Sequence, residues 1–143
     1  MDAKQTGELP ATPAPLLRGQ GTILLVEDED MVRRPVGIYL RKLGYHVIEA
    51  ANGHQALALW QEHGEKIDLL LTDMFMPGGM SGLELAERLK AGKPALQIII
   101  SSGNSPESGA SSEGFVYLPK PSPSAVIAST VSACMDRKKS AKS

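Results

Sequence analysis

Short, almost wholly apolar runs alternate with segments of helical spacing from Thr22 to the C-terminal end. This alternation restricts the fold more than any other feature of the chain. The runs are Thr22 to Glu27 (which ends in acids), Ile67 to Thr72, Ala95 to Ser101 and Phe115 to Leu118, and Tyr45 to Ala50 reads as a further short strand. A run with no polar alternation reads as a strand buried on both faces, and such strands belong to parallel sheets covered by helices. The intervening segments supply those helices. Met31 to Leu43 places Val32, Val36, Tyr39, Leu40 and Leu43 at helical spacing and stops at Gly44, with Pro35 near its first turn. Gly53 to His63, Ser81 to Ala91 and Ser122 to Met135 follow the same pattern. The expected fold class is therefore α/β, a doubly wound five-stranded parallel sheet.

The flanks read differently. Residues 1–21 hold Pro10, Pro13, Pro15, Gly7, Gly19 and Gly21 without a sustained period, as a linker or disordered tail does. Residues 136–143 read as a short basic tail, leaving a domain over 22–135. A length of 143 residues suits one such domain, and a net charge of −1 argues against a nucleic-acid groove. The lone Cys134 can form neither an internal disulfide nor a thiolate zinc site, which fits a reducing, cytoplasmic setting. No apolar run approaches the roughly 18 residues that span a bilayer, and the N-terminus has no hydrophobic signal core. Membrane contact by this domain is not expected.

In doubly wound sheets the site lies beyond the carboxyl ends of the strands. The first strand ends in Glu27 and Asp28, the third in Asp73, the fourth in Ser101, Ser102 and Gly103, and the fifth is followed by Pro119, Lys120 and Pro121. Three carboxylates, a hydroxyl and an ammonium thus converge on one rim. Two like charges about 4 Å apart repel by roughly 4 kcal/mol at an effective dielectric near 20. Raised pKa values, the lysine or a cation must offset this. A hard divalent ion suits oxygen ligands, and Mg²⁺ suits a site that also holds phosphate. The rim offers no His or Cys, which argues against zinc.

These segments resemble the receiver domains of response regulators (CheY-like). The matching stretches are Ile23-Leu-Leu-Val-Glu-Asp-Glu29, Asp68-Leu-Leu-Leu-Thr-Asp73, the following Met76-Pro77 and Gly82, Ile99-Ile-Ser-Ser-Gly103 and Leu118-Pro-Lys-Pro121. The resemblance covers residues 22–135. It implies a flavodoxin-like (βα)5 fold and phosphorylation of Asp73 by a phosphohistidine of a histidine kinase or histidine phosphotransfer protein. It further implies Mg²⁺ held by Asp28, by Glu27 through water, by Asp73 and by the carbonyl of Phe75. Lys120 and Ser102 would bind phosphoryl oxygens, with Ser102 preferred over Ser101 because it directly precedes the small Gly103. Ser102 and Tyr117 would form the switch, and the Lys120–Pro121 peptide would be cis.

Each residue also has a plainer reading. The acidic run Glu27 to Asp30 can be a solvated turn or a helix cap, Asp73 a loop carboxylate, Ser102 a turn residue, Lys120 a surface lysine and Tyr117 sheet packing. His46, His54 and His63 lack metal spacing, and Cys134 reads as a buried filler. Three other functions compete with the phosphoacceptor. A pseudo-receiver would act as a phosphorylation-independent interaction module, but every site residue type is present. A phosphotransferase of the haloacid dehalogenase type would need Asp-x-Asp at the first strand, where Val26-Glu-Asp-Glu29 stands. A dinucleotide-binding domain would need Gly-x-Gly-x-x-Gly there.

Two stretches depart from the family pattern. Residues 105–114, Ser-Pro-Glu-Ser-Gly-Ala-Ser-Ser-Glu-Gly, have almost no apolar face, so the helix after the fourth strand is expected to be short or missing. Ser122 stands where the family commonly has a bulky apolar residue. The Pro77-Gly-Gly-Met-Ser-Gly82 stretch is similar to receivers at the C-terminal end of hybrid sensor histidine kinases, which would make a hybrid kinase the parent protein. With about eight residues after the last helix, output is expected through a protein partner or a phosphorelay.

Overall fold

The computed structural model describes residues 20–76, 78–103, 109–110 and 114–142. The linker reading of residues 1–21 falls outside these, apart from Gln20 and Gly21. In chain order the elements are β1 (Thr22–Val26), α1 (Asp30–Lys42), β2 (His46–Ala50), α2 (Gly53–His63) and β3 (Leu69–Asp73). Then come α3 (Gly82–Gly92), β4 (Gln97–Ser102), β5 (Gly109–Ala110), β6 (Val116–Pro119) and α4 (Ser124–Lys142).

The strands form one sheet in the order β2-β1-β3-β4-β6-β5. The first five are parallel, as the unbroken apolar runs require. Ile23 to Val26, Leu69 to Leu71 and Ile98 to Ile100 are all buried. Strand alternation divides them between two cores. Leu24, Val26, Leu70, Ile98 and Ile100 face one side with Ala56, Leu85 and Leu89. Ile23, Leu25, Leu69, Leu71 and Ile99 face the other with Leu40, Val131 and Cys134. The family-like five-strand parallel sheet with flanking helices is thus present.

The helix starts are mostly locally encoded. The Asn52 side chain accepts from the Gln55 amide (2.8 Å) ahead of α2, and Ser81 Oγ accepts from the Glu84 amide (3.0 Å) ahead of α3. Caps of this kind are worth about 1 kcal/mol each. Gly44, at a φ of +109°, ends α1 in a conformation that L side chains rarely adopt. Glu29 precedes α1 without a side-chain cap, a gap that other contacts fill.

Two features differ from the sequence reading. A sixth strand, β5, pairs antiparallel with β6 through Gly109↔Tyr117 and Ala110↔Val116. It lies in the stretch expected to hold a short or missing helix; of residues 105–114, residues 105–108 and 111–113 are outside the described ones. In addition, α4 starts at Ser124 and runs to Lys142. The start is delayed because the Pro123 ring keeps Ser122 out of the helical region, and the Pro123 carbonyl accepts from Val126 and Ile127 as the helix opens. The extension carries helix through residues 136–142, read above as a tail; Arg, Lys and Ala there are good helix formers. No described helix is long and apolar enough to cross a membrane.

Candidate functional site

Parallel pairing in register brings the strand ends to one rim. Asp73 lies opposite Ser101, and Ser102 opposite Pro119. Glu27 follows β1 directly, its amide bound to the Ala50 carbonyl at the end of β2 (3.1 Å). The Lys120 amide donates to the Ser102 carbonyl (3.1 Å), which ties the lysine to the β4 terminus. Its peptide bond to Pro121 is cis, as expected.

The side chains meet there. Lys120 Nζ donates to Glu27 Oε1 (2.7 Å) and to Asp73 Oδ2 (2.8 Å). One carboxylate oxygen from each of Glu27, Asp28 and Asp73 lies within 4.8 Å of the others. Glu27 and Asp73 are buried, whereas Asp28 is exposed at the mouth. Burial pushes the Glu27 carboxyl up and nearby Asp73 adds to this, against the Lys120 and Glu29 hydrogen bonds. Burial works against the Lys120 ammonium too, but hydrogen bonds and attraction from Asp73 and Glu27 outweigh it, so its pKa is raised. Three acids sharing one ammonium leave net negative charge in a partly desolvated place, which suits a hard cation with oxygen ligands.

The remaining predicted residues are placed as follows. Ser102 is buried at the end of β4. Phe75 lies just past β3 with its side chain exposed. Tyr117 is half-buried on β6, packed at the margin of a core and paired with β5. A cavity of about 120 Å³ is lined by Glu27, Asp73, Lys120 and Ser101 and, among apolar residues, by Val36, Leu118 and Ile127. A larger hollow of about 760 Å³, lined by Trp60, Gln61, Gly64 and Lys93, lies at the far ends of α2 and α3. It gathers none of the clustered acids; chemistry, not volume, marks the site.

Gly82 and Arg33 complete the surroundings. The Gly82 amide donates to the Met74 carbonyl (2.6 Å), and a Cβ at Gly82 would stand 2.0 Å from the Asp73 carbonyl oxygen. Sequence reasoning did not single out Arg33. It is buried in α1, and its Nη1 donates to the Glu27 carbonyl (2.8 Å) while Nε donates to Glu49 Oε1 (3.0 Å). The available signal was Gly37, a glycine in a helix interior four residues on.

A family model for the response regulator receiver domain matches residues 23–132. Sensor kinase CckA of Brucella abortus (strain 2308) is 36% identical over 125 residues, 85% of this chain and 13% of CckA. Response regulator receiver protein CpdR of the same strain is 44% identical over 81 residues, covering 57% of this chain and 65% of CpdR. The crystal structure of the receiver domain from hybrid histidine kinase CckA is 36% identical, with a TM-score of 0.70, covering 80% of this chain and 98% of that one. The chain spans 20% or less of the length of several relatives it matches, CckA among them. With fold, site and family model in agreement over most of its length, the chain belongs to the response regulator receiver domain family of two-component systems.

Proposed function

We propose that the chain is a phosphoacceptor, taking a phosphoryl group from a phosphohistidine onto Asp73 with Mg²⁺ bound. The observation that carries this reading is the bridge of Lys120 Nζ between Glu27 (2.7 Å) and Asp73 (2.8 Å), inside a set of three carboxylates. A nucleophilic carboxylate with an ammonium already on it needs positioning and charge stabilisation rather than further covalent groups.

The donor set fits Mg²⁺: three carboxylates with oxygen atoms within 4.8 Å. Asp28 and Asp73 would hold the ion directly, Glu27 through water, with the Phe75 carbonyl as a further ligand. When bound, Mg²⁺ supplies charge neutralisation for phosphoryl oxygens. An Asp73 carboxylate oxygen attacks phosphorus in line with the imidazole. The P–O bond forms as the P–N bond breaks, and the departing imidazole keeps the electron pair. Lys120 shifts its hydrogen bond from the carboxylate to a phosphoryl oxygen. Ser102 donates its hydroxyl to another. Water later hydrolyses the acyl phosphate or a phosphorelay partner removes it.

Movement of Ser102 toward the phosphoryl group would let Tyr117 turn inward, passing the change to the surface around β6 and α4. The donor is a histidine kinase or histidine phosphotransfer protein, and similarity to CckA supports a hybrid kinase as parent. The domain acts in the cytoplasm without direct contact with nucleic acid or membrane. Treatment with acetyl phosphate plus Mg²⁺ tests this. Wild type should gain one aspartyl phosphate by intact mass, and Asp73→Asn none; an Asp73→Asn protein modified like wild type would overturn the reading.

A further inference from the structure

We infer that Arg33 is a positioning residue for the Mg²⁺-binding acids, holding the turn between β1 and α1 so that Glu27 and Asp28 face Asp73. This rests on the metal reading above and extends it to a residue that lies outside the ligand set.

The turn carries four successive acids, Glu27 to Asp30, and should spread by mutual repulsion. It also opens a helix whose N-cap residue, Glu29, makes no side-chain cap. Arg33 supplies what is missing. Its Nη1 donates to the buried Glu27 carbonyl (2.8 Å), its Nη2 to Asp30 Oδ1, and its Nε to Glu49 Oε1 on β2 (3.0 Å). One planar guanidinium therefore ties both ends of the acidic run to the neighbouring strand, a geometry an ammonium cannot reproduce.

The anchor is itself held. Arg41 Nη1 binds the other Glu49 oxygen (2.9 Å). A Cβ at Gly37 would stand 3.0 Å from Glu49 Oε2, so the glycine leaves room for this bridge. Within the turn, Glu27 Oε2 accepts from the Glu29 amide (3.0 Å) and the Glu29 carbonyl accepts from the Arg33 amide (2.8 Å). Losing the guanidinium would free the Glu27 carbonyl and with it the direction of both acid side chains.

Coulomb's law alone predicts the opposite sign. A cation near a cation site weakens metal binding, so its removal should tighten it. Titrating Mg²⁺ into the full chain by calorimetry separates the two, using Arg33→Met, Arg33→Lys and, as a control of equal charge change, the exposed Arg34→Met. Arg33→Met and Arg33→Lys should bind Mg²⁺ about tenfold or more weakly, as removal of groups that orient metal ligands does. Arg34→Met should bind as wild type or slightly tighter. At saturating Mg²⁺, both Arg33 variants should regain phosphorylation by acetyl phosphate. Wild-type or tighter binding by Arg33→Met overturns the inference. Should that variant fail to fold, Arg33→Lys decides alone, and wild-type affinity in it is fatal. A wild-type protein that binds no Mg²⁺ overturns the metal reading itself, an outcome seen without any variant.

Discussion

Gly82, the first residue of α3, lies so close to Asp73 that any β-carbon there would sit 2.0 Å from the Asp73 carbonyl oxygen. The obstacle is backbone, which cannot rotate away as a side-chain tip would. Overpacking of this kind destabilises by about 1–3 kcal/mol, and Gly82→Ala should fall at the upper end. Urea denaturation should show a lowered midpoint. Phosphorylation at saturating Mg²⁺ should slow as well, because relief of the clash displaces Asp73. A variant as stable and as fast as wild type would contradict this packing.

Neutralising Asp73 should affect stability with the opposite sign. At 2.8 Å its attraction to Lys120 is roughly 6 kcal/mol at an effective dielectric near 20, and its repulsion from a charge 4.8 Å away roughly 3.5 kcal/mol. Two such neighbours, Glu27 and Asp28, nearly cancel the attraction, even with the exposed Asp28 discounted for solvent. Desolvation of a buried carboxylate then tips the balance against the charge. Without Mg²⁺, Asp73→Asn should be more stable than wild type by about 1 kcal/mol, and Mg²⁺ should shrink or reverse the gain. Lower stability in both buffers would show that the lysine pair dominates.

The parallel sheet and the site were legible in the sequence for one reason: burial on both faces leaves unbroken apolar runs, and the polar residues ending those runs must share a rim. Glu27, Asp73 and Lys120 meet although they come from three separated segments. Most element ends moved by a residue or two where prolines and turns compete, as at Ser124, whereas α4 runs on to Lys142 through residues that lack an apolar stripe. β5 left no trace because it is two residues long, Gly109 and Ala110, too short for any hydrophobic period to show. Arg33 was hidden for another reason. Its burial depends on Glu49, sixteen positions away on β2, and an arginine in a helix otherwise reads as solvated.

Lys120 should couple stability to alkaline pH. Its pKa is raised in the folded protein, so the fold binds this proton more tightly than the unfolded chain does. The contribution is complete below the unfolded value of about 10.4 and is lost as pH rises through the higher folded value. Lys120→Met should therefore be less stable than wild type at pH 8, by about 2 kcal/mol once partial exposure is discounted. The difference should narrow above about pH 10.5. Parallel stability curves for the two proteins up to pH 11.5 would exclude the ion pair as its source.

Ser101 and Ser102 are adjacent, yet only one should serve the phosphoryl group. Ser102 is buried and Ser101 only partly so; the carbonyls of Ser102 and Ser101 accept from the Lys120 (3.1 Å) and Met74 (2.8 Å) amides, bonds that any side chain permits. Successive strand residues point to opposite faces, so the two hydroxyls cannot substitute for each other. Ser102→Ala should slow phosphorylation by acetyl phosphate roughly tenfold or more, as loss of one donor to a developing charge does. Ser101→Ala should remain near wild type. The single tryptophan, Trp60, stands at the far end of α2 and would report poorly on the site, so the rates are best read from aspartyl phosphate by mobility-shift gels. Equal slowing by both alanines would trace the defect to β4 packing, and slowing by Ser101→Ala alone would transfer the role to that hydroxyl.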